Sequence, residues 1–405
     1  MRKMKDSGIE WIGEIPESWE CSKSKYYIQI TNGSDPKTEG DIPVYGSGSG
    51  CFKTCGESKE GPAVLLGRKG TVDIPRYVEG KFWNVDTAFD VKTDENKLLL
   101  KYYFYLSTCF DYRFYTATTT LPSMTQTSYE NMFIPVPDIA IQHKIVAHIE
   151  SKCEKLDTII VAKKKTNELL KERRQSIIYE AVTKGLDPTV PMKDSGVEWI
   201  GEIPESWSVV ALKRVAKPST GMTPNKANPE YWDGDIPWFS SKDIKDFYLT
   251  DSEDHITEKA IEDCGLTLYD ANSVVFCARS GILRHTFPVA VMKCQGTINQ
   301  DLRVLTTANS VDSDFLMYYL RGMNNTIVTL YQKIGATVES IETDWLLYLP
   351  TVLPPIEEQR TIAKGITARC DEINNLITTN NTSIQKLKEY RQSVIYEAVT
   401  GKVEI

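Results

Sequence analysis

The sequence predicts an α+β protein in which two globular α/β domains are separated by two long helices that pair as an antiparallel coiled coil. Three observations lead to this fold class. Two segments each occur twice, a heptad pattern of apolar residues runs through two long stretches, and the regions between the repeats are unlike each other. The repeats imply a pseudo-twofold relation between the two halves. At 405 residues the chain is long enough for two domains, each with its own core.

One repeat opens each half of the chain, and another closes it. Residues 4–19 read MKDSGIEWIGEIPESW, and residues 192–207 match fifteen of these sixteen positions at an offset of 188. Residues 171–183 read KERRQSIIYEAVT, and residues 388–400 match them with two changes at an offset of 217. These repeated ends predict a constant frame.

The regions inside the frame, residues 20–138 (the first head) and residues 208–354 (the second head), show little similarity to each other. Near-identical ends around unlike centres favour a frame that carries two different heads. The alternative is a recent duplication in which one half has drifted, but uniform drift would also have eroded the ends.

Each half ends in a predicted long helix. The helices start after the proline-containing residues 137–138 and 354–355 and stop at Gly185 and Gly401, which are common start and stop signals. Residues spaced three and four apart form a seam over five heptads in each helix, which is typical of a coiled coil. A helix of some 45 residues is about 65 Å long and needs a partner for so narrow an apolar stripe, so antiparallel pairing is expected. Separate packing of each helix on its own domain is the alternative. The seam positions are Val146, Ile149, Cys153, Leu156, Ile160, Lys163, Asn167, Leu170, Arg174, Ile177 and Ala181, and then Ala363, Ile366, Cys370, Ile373, Ile377, Asn380, Ile384, Leu387, Arg391, Val394 and Ala398.

Shorter elements are expected inside the heads. Strands are predicted at residues 64–66 and 274–276, and helices at residues 94–110 and 315–321. The whole chain then divides into a first domain at 1–138, a central helix at 139–187, a second domain at 188–354 and a C-terminal helix at 355–405.

The charge balance argues against tight independent binding to DNA, because neutralisation of phosphates supplies most of the affinity for DNA. The net charge is −8; the first head holds 13 basic and 15 acidic side chains, and the second head holds 13 and 18. No apolar run reaches the roughly 18 residues of a membrane span, and no signal peptide is recognisable, so we expect no membrane association and a cytoplasmic protein. The nine cysteines contain no C-x-x-C pair, which favours reduced thiols.

In both heads an arginine follows a predicted strand and lies in a glycine-containing turn, with Arg68 before Gly70 and Arg279 before Gly281. Arginine suits bidentate contacts with guanine or phosphate, and asparagine or glutamine suits adenine. A solvated surface role is the alternative for each side chain. The candidate DNA-binding residues are Tyr45, Ser47, Arg68, Lys69, Arg76, Asn225, Lys226, Ser241, Lys242, Arg279, Arg284 and Asn299.

Motifs for catalysis are missing from the sequence. It contains no Asn/Asp-Pro-Pro-Tyr signature of adenine methyltransferases, no G-x-G-x-x-G after a strand and no G-x-x-x-x-G-K-[ST]. The histidines, at positions 143, 148, 255 and 285, have no metal-ligand spacing. We therefore expect no catalytic residue, no metal site and no cofactor in this chain.

Taken together, these features resemble the specificity (S) subunits of type I restriction–modification systems over nearly the whole chain. The marks are WIGEIPESW at residues 11–19 and 199–207, the closing repeats, and the runs PDIAIQ at 137–142 and PPIEEQ at 354–359. The first of these pre-helix runs departs from the family's usual Pro-Pro-x-x-Glu-Gln at Asp138 and Ile141. The GRKG and FWNVD motifs of the first head resemble one head type, and the GMTP and GDIPW motifs of the second resemble another.

The resemblance implies two target-recognition domains that read a two-part target in double-stranded DNA, with a gap set by the helices. It also implies binding to methyltransferase (M) subunits, which methylate adenine, and to an ATP-driven restriction/translocase (R) subunit. The chain itself would be a non-catalytic subunit. The alternatives are a stand-alone type II-like methyltransferase or nuclease, against which the missing motifs argue, and a coiled-coil scaffold, against which two unlike heads argue.

Overall fold

The computed structural model of the protein describes residues 2–116, 122–333 and 338–405, and it forms two compact units. Unit 1 contains residues 1–164 and 380–405, and unit 2 contains residues 165–379. Each unit therefore combines one head with part of each long helix. The four-part division expected from the sequence stays a prediction. Within the described ranges, none of the helices combines the length and the apolar character that a membrane span requires.

The helices occur in the order expected, with short helices in the heads and one long helix after each head. They are α1 (Leu100–Ser107), α2 (Gln126–Asn131), α3 (Ile139–Lys184), α4 (Glu258–Cys264), α5 (Ser313–Gly322), α6 (Asn324–Tyr331), α7 (Thr343–Leu346) and α8 (Ile356–Val399).

The two long helices are confirmed. Helix α3 has 46 residues and α8 has 44, and each begins at the first residue after its predicted start signal. Gly185 and Gly401 follow the helix ends with φ of 77° and 70°, the left-handed conformation that favours glycine at a helix stop. Every seam residue is buried or half-buried.

In each unit the segments of α3 and α8 run antiparallel, as predicted. In unit 1, Lys163 donates a hydrogen bond to Asn380 (3.3 Å) and Asp157 forms an ion pair with Arg391 (3.1 Å), so residue numbers rise on one helix as they fall on the other. In unit 2, Arg174 donates to Asn374 (2.7 Å), and Leu186 lies against Gly365. Position 157 corresponds to 374, and position 174 corresponds to 391, at the repeat offset of 217. The two pairs therefore occupy equivalent positions of the internal repeat.

Unit 1 contains two four-stranded sheets, in the orders β6-β5-β10-β7 and β4-β11-β8-β9, and two small antiparallel pairs, β1-β2 and β3-β12. The strands are β1 (Met4–Asp6), β2 (Glu14–Pro16), β3 (Glu20–Lys23), β4 (Ile28–Asn32), β5 (Ile42–Tyr45), β6 (Cys51–Cys55), β7 (Lys59–Glu60), β8 (Ala63–Gly67), β9 (Arg76–Val78), β10 (Lys81–Asn84), β11 (Ala88–Thr93) and β12 (Phe133–Val136).

Unit 2 contains a five-stranded sheet in the order β16-β23-β20-β21-β18, a three-stranded sheet in the order β19-β17-β22, and the pairs β13-β14 and β15-β24. The strands are β13 (Met192–Asp194), β14 (Glu202–Pro204), β15 (Ser208–Ala211), β16 (Ala216–Thr220), β17 (Trp232–Phe239), β18 (Tyr248–Leu249), β19 (Asp254–Ile256), β20 (Val274–Cys277), β21 (Val289–Met292), β22 (Thr297–Ile298), β23 (Leu302–Thr307) and β24 (Pro350–Leu353).

The two heads share a strand arrangement in spite of their unlike sequences. The antiparallel order β4-β11-β8-β9 corresponds to β16-β23-β20-β21, and the parallel pair β5/β10 corresponds to β17/β22. The second head adds β18 at the edge of its larger sheet. The two heads are therefore two versions of one fold with different side chains.

One predicted helix in the first head is shorter than expected. The segment 94–110 was expected to be helical throughout, but α1 spans only Leu100–Ser107. Before the helix, Asp94 begins a turn, and Leu99 is extended (φ −65°, ψ 132°). The amide of Leu99 donates to the side chain of Gln142 on α3, so a tertiary contact replaces the first helical turn. The helix predicted at 315–321 lies within α5 and is confirmed.

A buried glutamine attaches the start of each long helix to its own head. The side chains of Gln142 and Gln359 are fully buried and occupy equivalent positions at an offset of 217. In unit 2, Gln359 Oε1 accepts from the amide of Asp312 (2.9 Å), and Nε2 donates to the carbonyls of Ser310 (3.0 Å) and Pro354 (2.8 Å). Gln142 makes the matching three contacts in unit 1.

The repeated opening segments pack at the far ends of the helices. Trp19 and Trp207 are buried in the cores of their units. Tyr396, near the end of α8, donates to the carbonyl of Trp11 (3.0 Å), and Tyr179, near the end of α3, donates to the carbonyl of Trp199 (2.6 Å). The constant frame is therefore a set of equivalent contacts that hold each head in the same way.

Candidate nucleic-acid interface

Two neighbouring turns in each head carry some of the candidate DNA-binding residues. The first, which we call the basic turn, lies at the end of β8 in the first head (residues 67–70) and at the end of β20 in the second (residues 277–280). The second, which we call the polar turn, precedes the strand that pairs with β8 or β20, which is β11 in the first head and β23 in the second, and comprises residues 85–87 and 299–301. The backbone joins the two turns in both heads, because Arg68 N donates to Thr87 O (2.8 Å) and Ala278 N donates to Asp301 O (2.8 Å).

These contacts correct the expected correspondence of Arg68 with Arg279. Since Arg68 and Ala278 make the same backbone contact, the residue equivalent to Arg279 is Lys69. The isolated bridges of Lys69 with Ser123 and of Arg279 with Ser340 agree with this register. The heads thus present a basic side chain at the same position, but the glycine spacing used in the sequence comparison is shifted by one residue.

A glycine directly after β4 and after β16 allows the backbone at the start of the polar turn to approach closely. A Cβ atom at Gly33 would lie 2.0 Å from the carbonyl oxygen of Val85, and one at Gly221 would lie 1.8 Å from that of Ile298. No side chain fits at such distances, so only glycine permits this close approach. The two glycines are themselves equivalent, at an offset of 188.

In the first head, the predicted DNA-binding residues converge around these turns. Arg68 is half-buried and donates through Nη1 to the carbonyl of Asp86 in the polar turn (3.3 Å), while Lys69 is exposed. The backbone amide of Ser47 donates to Thr87 Oγ1 (3.4 Å), so the glycine-rich loop 46–50 adjoins the polar turn.

Arg76 also contacts the glycine-rich loop. Its guanidinium donates to the carbonyl of Gly48 and lies 4.9 Å from the centre of the Tyr45 ring. Burial lowers the pKa of Arg76 from its ordinary value. A side chain engaged in this way fixes the shape of the loop, so Arg76 supports the surface that Tyr45 and Ser47 present.

In the second head, a cavity of about 380 Å³ lies beside the polar turn and collects several of the predicted residues. Ser241 is half-buried and lies between Ser240 and Lys242 along the chain. The residues that line the cavity are Thr223, Lys226, Trp238, Ser240, Lys242, Asp254, Asn299, Gln300 and Asp301.

Carboxylates accompany most of the basic side chains of the second head. Lys242 lies 3.0 Å from both Glu253 and Asp254. Hydrogen bonds to these carboxylates raise the pKa of Lys242, and the bond to Asp254 has the largest effect. Arg279 lies 3.3 Å from Asp301 in the polar turn.

Arg284 also pairs with a carboxylate, that of Glu339. Such exposed pairs contribute little to stability, so a phosphate or a base can displace the carboxylate at small cost. They also explain why the second head is net acidic and yet presents basic side chains.

The two predicted asparagines shape the backbone around the site. Asn299 is buried, and its Oδ1 accepts from the amides of Asp301 (3.0 Å) and Leu302 (3.2 Å), which fixes the polar turn. Asn225 is exposed, and its side chain accepts from the amide of Ala227 (3.0 Å) in a local turn. Their direct contact with DNA stays a prediction.

Sequence reasoning missed the exposed residue of each polar turn. Gln300 follows Asn299 and is exposed, and Asp86 occupies the equivalent position in the first head and is also exposed. The adjacent amides Asn299 and Gln300, shortly before a strand, were a possible signal. In an extended segment successive side chains point to opposite sides, so one of the two amides was expected to be exposed. The described residues also include no group of three or more His, Cys, Asp or Glu side chains placed to hold a metal ion.

Comparison with known protein families and relatives adds an independent result. The family model of the type I restriction modification DNA specificity domain matches residues 13–171 and again residues 204–388. The specificity subunit of the Escherichia coli type I restriction enzyme EcoR124I/EcoR124II is 28% identical over 387 residues, which cover 91% of this chain and 88% of that protein. The specificity subunit of the Methanocaldococcus jannaschii type I restriction enzyme MjaIX is 31% identical over 181 residues, which cover 44% and 40%.

A solved structure shares the fold. It belongs to a study of complex assembly and conformational transition of the type I R-M system, and it superimposes with a TM-score of 0.73 at 16% identity over 96% of this chain and 99% of that one. At this identity the likeness concerns the fold alone. Neither a stand-alone methyltransferase nor a bare coiled-coil scaffold is favoured by these comparisons.

Proposed function

The chain belongs to the type I restriction–modification DNA specificity family, and we propose that it reads a two-part DNA target, one half with each head. The observation that carries this proposal is the shared architecture of the two heads. Both place a basic turn against a polar turn, but the side chains on these turns differ. A module of constant backbone and variable surface is suited to reading a different base sequence at each end.

The chemistry of the turns fits the edges of base pairs and the phosphates beside them. Arg68 and Arg279 each lie against a polar turn, where a guanidinium can donate two hydrogen bonds to guanine or clamp a phosphate. Lys69, Lys226 and Lys242 are exposed and serve as phosphate contacts, which position the duplex without specifying its sequence.

Partner subunits complete the function in this proposal. With 13 basic against 15 acidic side chains in the first head and 13 against 18 in the second, the heads have too little positive charge for tight independent binding. We propose that methyltransferase subunits and a restriction/translocase subunit dock on the constant frame, grip the phosphates and carry out adenine methylation and ATP-dependent cleavage. The chain itself then contributes specificity and no catalysis, and acts in the cytoplasm, where the DNA lies.

The decisive experiment is to map methylated adenines in the genome of a host that expresses the chain with its methyltransferase partner. We expect one two-part motif with a constant gap. Replacement of residues 20–138 by another head of the family should change one half of the motif and leave the other half intact.

Two outcomes would contradict the proposal. If no two-part motif is methylated, the chain is not the specificity component of the complex. If both halves change when one head is replaced, the heads do not read independently. A gel shift with and without the methyltransferase tests the partner requirement, and equally tight binding by the chain alone would refute it.

A further inference from the structure

We propose that the polar turn is the base-reading element of each head, and that Gln300 specifies an A·T pair in the half-site bound by the second head. The inference rests on the proposed function and adds to it a residue, a base pair and a side-chain geometry.

The backbone around Gln300 is held in place on three sides. Asn299 accepts from two amides of the turn, and Arg303 Nη1 donates to the carbonyl of Gln300 itself (2.8 Å). The amide of Met222 donates to the carbonyl of Ile298 (3.1 Å), beside the close approach at Gly221. A reading residue needs this kind of support, because its direction must be set before the DNA arrives.

The side chain of Gln300 is exposed but has a defined orientation. Thr223 Oγ1 donates to Gln300 Oε1 (2.5 Å), which leaves both Nε2 hydrogens and one Oε1 lone pair available. The major-groove edge of adenine offers an acceptor at N7 and a donor at N6, and an amide matches both at once. Guanine offers acceptors at N7 and O6, so the Oε1 atom would meet an acceptor and lose one hydrogen bond.

Basic groups flank this amide on the same surface. Lys226 and Lys242 line the same cavity as Gln300, and Arg279 is held 3.3 Å from Asp301, the next residue of the turn. Cations at these positions suit the phosphates or a neighbouring guanine beside the A·T pair. The arrangement therefore brings one neutral, directional side chain together with cationic groups and with the carboxylates of Asp254 and Asp301 that pair with them.

The equivalent position in the first head carries a different chemical group. Asp86 is exposed at the same place in its polar turn, next to the guanidinium of Arg68, which donates to its carbonyl. A carboxylate only accepts hydrogen bonds, and the cytosine amino group is the matching major-groove donor. The two heads would thus read unlike bases through the same turn, as two unlike half-sites require.

The test is methylation mapping of Gln300→Ala with the intact methyltransferase complex. One position of one half-site, other than the methylated adenine, should lose its requirement for an A·T pair, with a discrimination that falls by roughly 5- to 150-fold. The matched control is Gln295→Ala, which changes another exposed glutamine of the second head, and the motif should stay unchanged.

Three further variants make the prediction sharper and guard against misfolding. Gln300→Glu removes the donors, so the preference at that position should move toward cytosine. Asp86→Asn should alter one position of the other half-site only. Thr223→Val removes the hydroxyl that orients the amide, and should reduce discrimination at the position read by Gln300 while assembly with the methyltransferase stays at the wild-type level.

The outcomes separate this inference from the proposed function. If the wild-type chain directs a two-part motif and Gln300→Ala leaves that motif unchanged, the inference is wrong and the proposed function stands. Equal weakening at all sequences would make Gln300 a phosphate contact and would also overturn it. If the wild-type chain directs no two-part motif, the proposed function itself fails.

Discussion

Replacement of Gln359 by methionine tests whether the buried glutamines hold the heads to the frame. The side chain is fully buried and makes three hydrogen bonds to the backbone, at 2.8–3.0 Å. Methionine has a similar length and is apolar, so Gln359→Met keeps the packing and removes the hydrogen bonds. The buried carbonyl of Pro354 is then left without its partner, and the part-buried amide of Asp312 and carbonyl of Ser310 each lose one hydrogen bond.

The magnitude follows from the number of groups affected. A typical net contribution is about 1 kcal/mol per hydrogen bond, and a buried group left unsatisfied costs about 1–3 kcal/mol. For three contacts we expect the free energy of unfolding of unit 2 to fall by about 3–5 kcal/mol. The equivalent change, Gln142→Met, should have the same effect in unit 1.

Hydrogen exchange measured by mass spectrometry, together with urea unfolding, resolves the two units. Gln359→Met should speed exchange in the segments around residues 310–312 and 354–359 and leave the equivalent segments around residues 97–99 and 137–142 unchanged. The control is Gln385→Met. This exposed side chain donates a hydrogen bond to Glu389 one turn along α8, and the loss of that bond should cost no more than about 0.5 kcal/mol. A loss below about 1 kcal/mol for Gln359→Met, or faster exchange in both units alike, would refute the reasoning.

Three further predictions follow from the packing. Gly33→Ala should disrupt the first head, because a Cβ atom there would lie 2.0 Å from a backbone carbonyl oxygen. Gly48→Ala is the control and should be tolerated, because a Cβ atom at Gly48 would have nothing within 4 Å. Thermal melting followed by circular dichroism compares the two variants, and equal melting temperatures would contradict the expectation. Arg391→Ala should lower the free energy of unfolding by no more than about 1 kcal/mol in urea titrations, because its ion pair is part-exposed; a loss above about 2 kcal/mol would show that the pair stabilises the helices. Iodoacetamide at pH 8 should label the exposed Cys51 well before the buried Cys277, since burial raises the pKa of Cys277 to about 11 and keeps its thiol protonated at that pH. Mass spectrometry of the digested protein gives the order of labelling. Early labelling of Cys277 would refute the prediction.

The sequence alone determined the frame of this protein, because the signals for the frame are local or repeated. The seam could be read from residues three and four apart, and the helix ends at Gly185 and Gly401 follow from the left-handed backbone that glycine accepts. Antiparallel pairing followed from two helices that each needed a partner. The resemblance to the specificity family likewise depended on the repeated segments, and the family comparison agrees with it.

Only the tertiary structure decided which polar side chains form the proposed reading surface. From the sequence, Asn299 and Gln300 are two adjacent amides. Contacts with β17 and β23 hold Asn299 inward, and Gln300 is exposed and bonded to Thr223 in a loop. The start of α1 at residue 100 and the equivalence of Lys69 with Arg279 were likewise set by partners far away in the chain. Local propensity carries no information about such partners, because a hydrogen bond between distant segments depends on how the whole head folds.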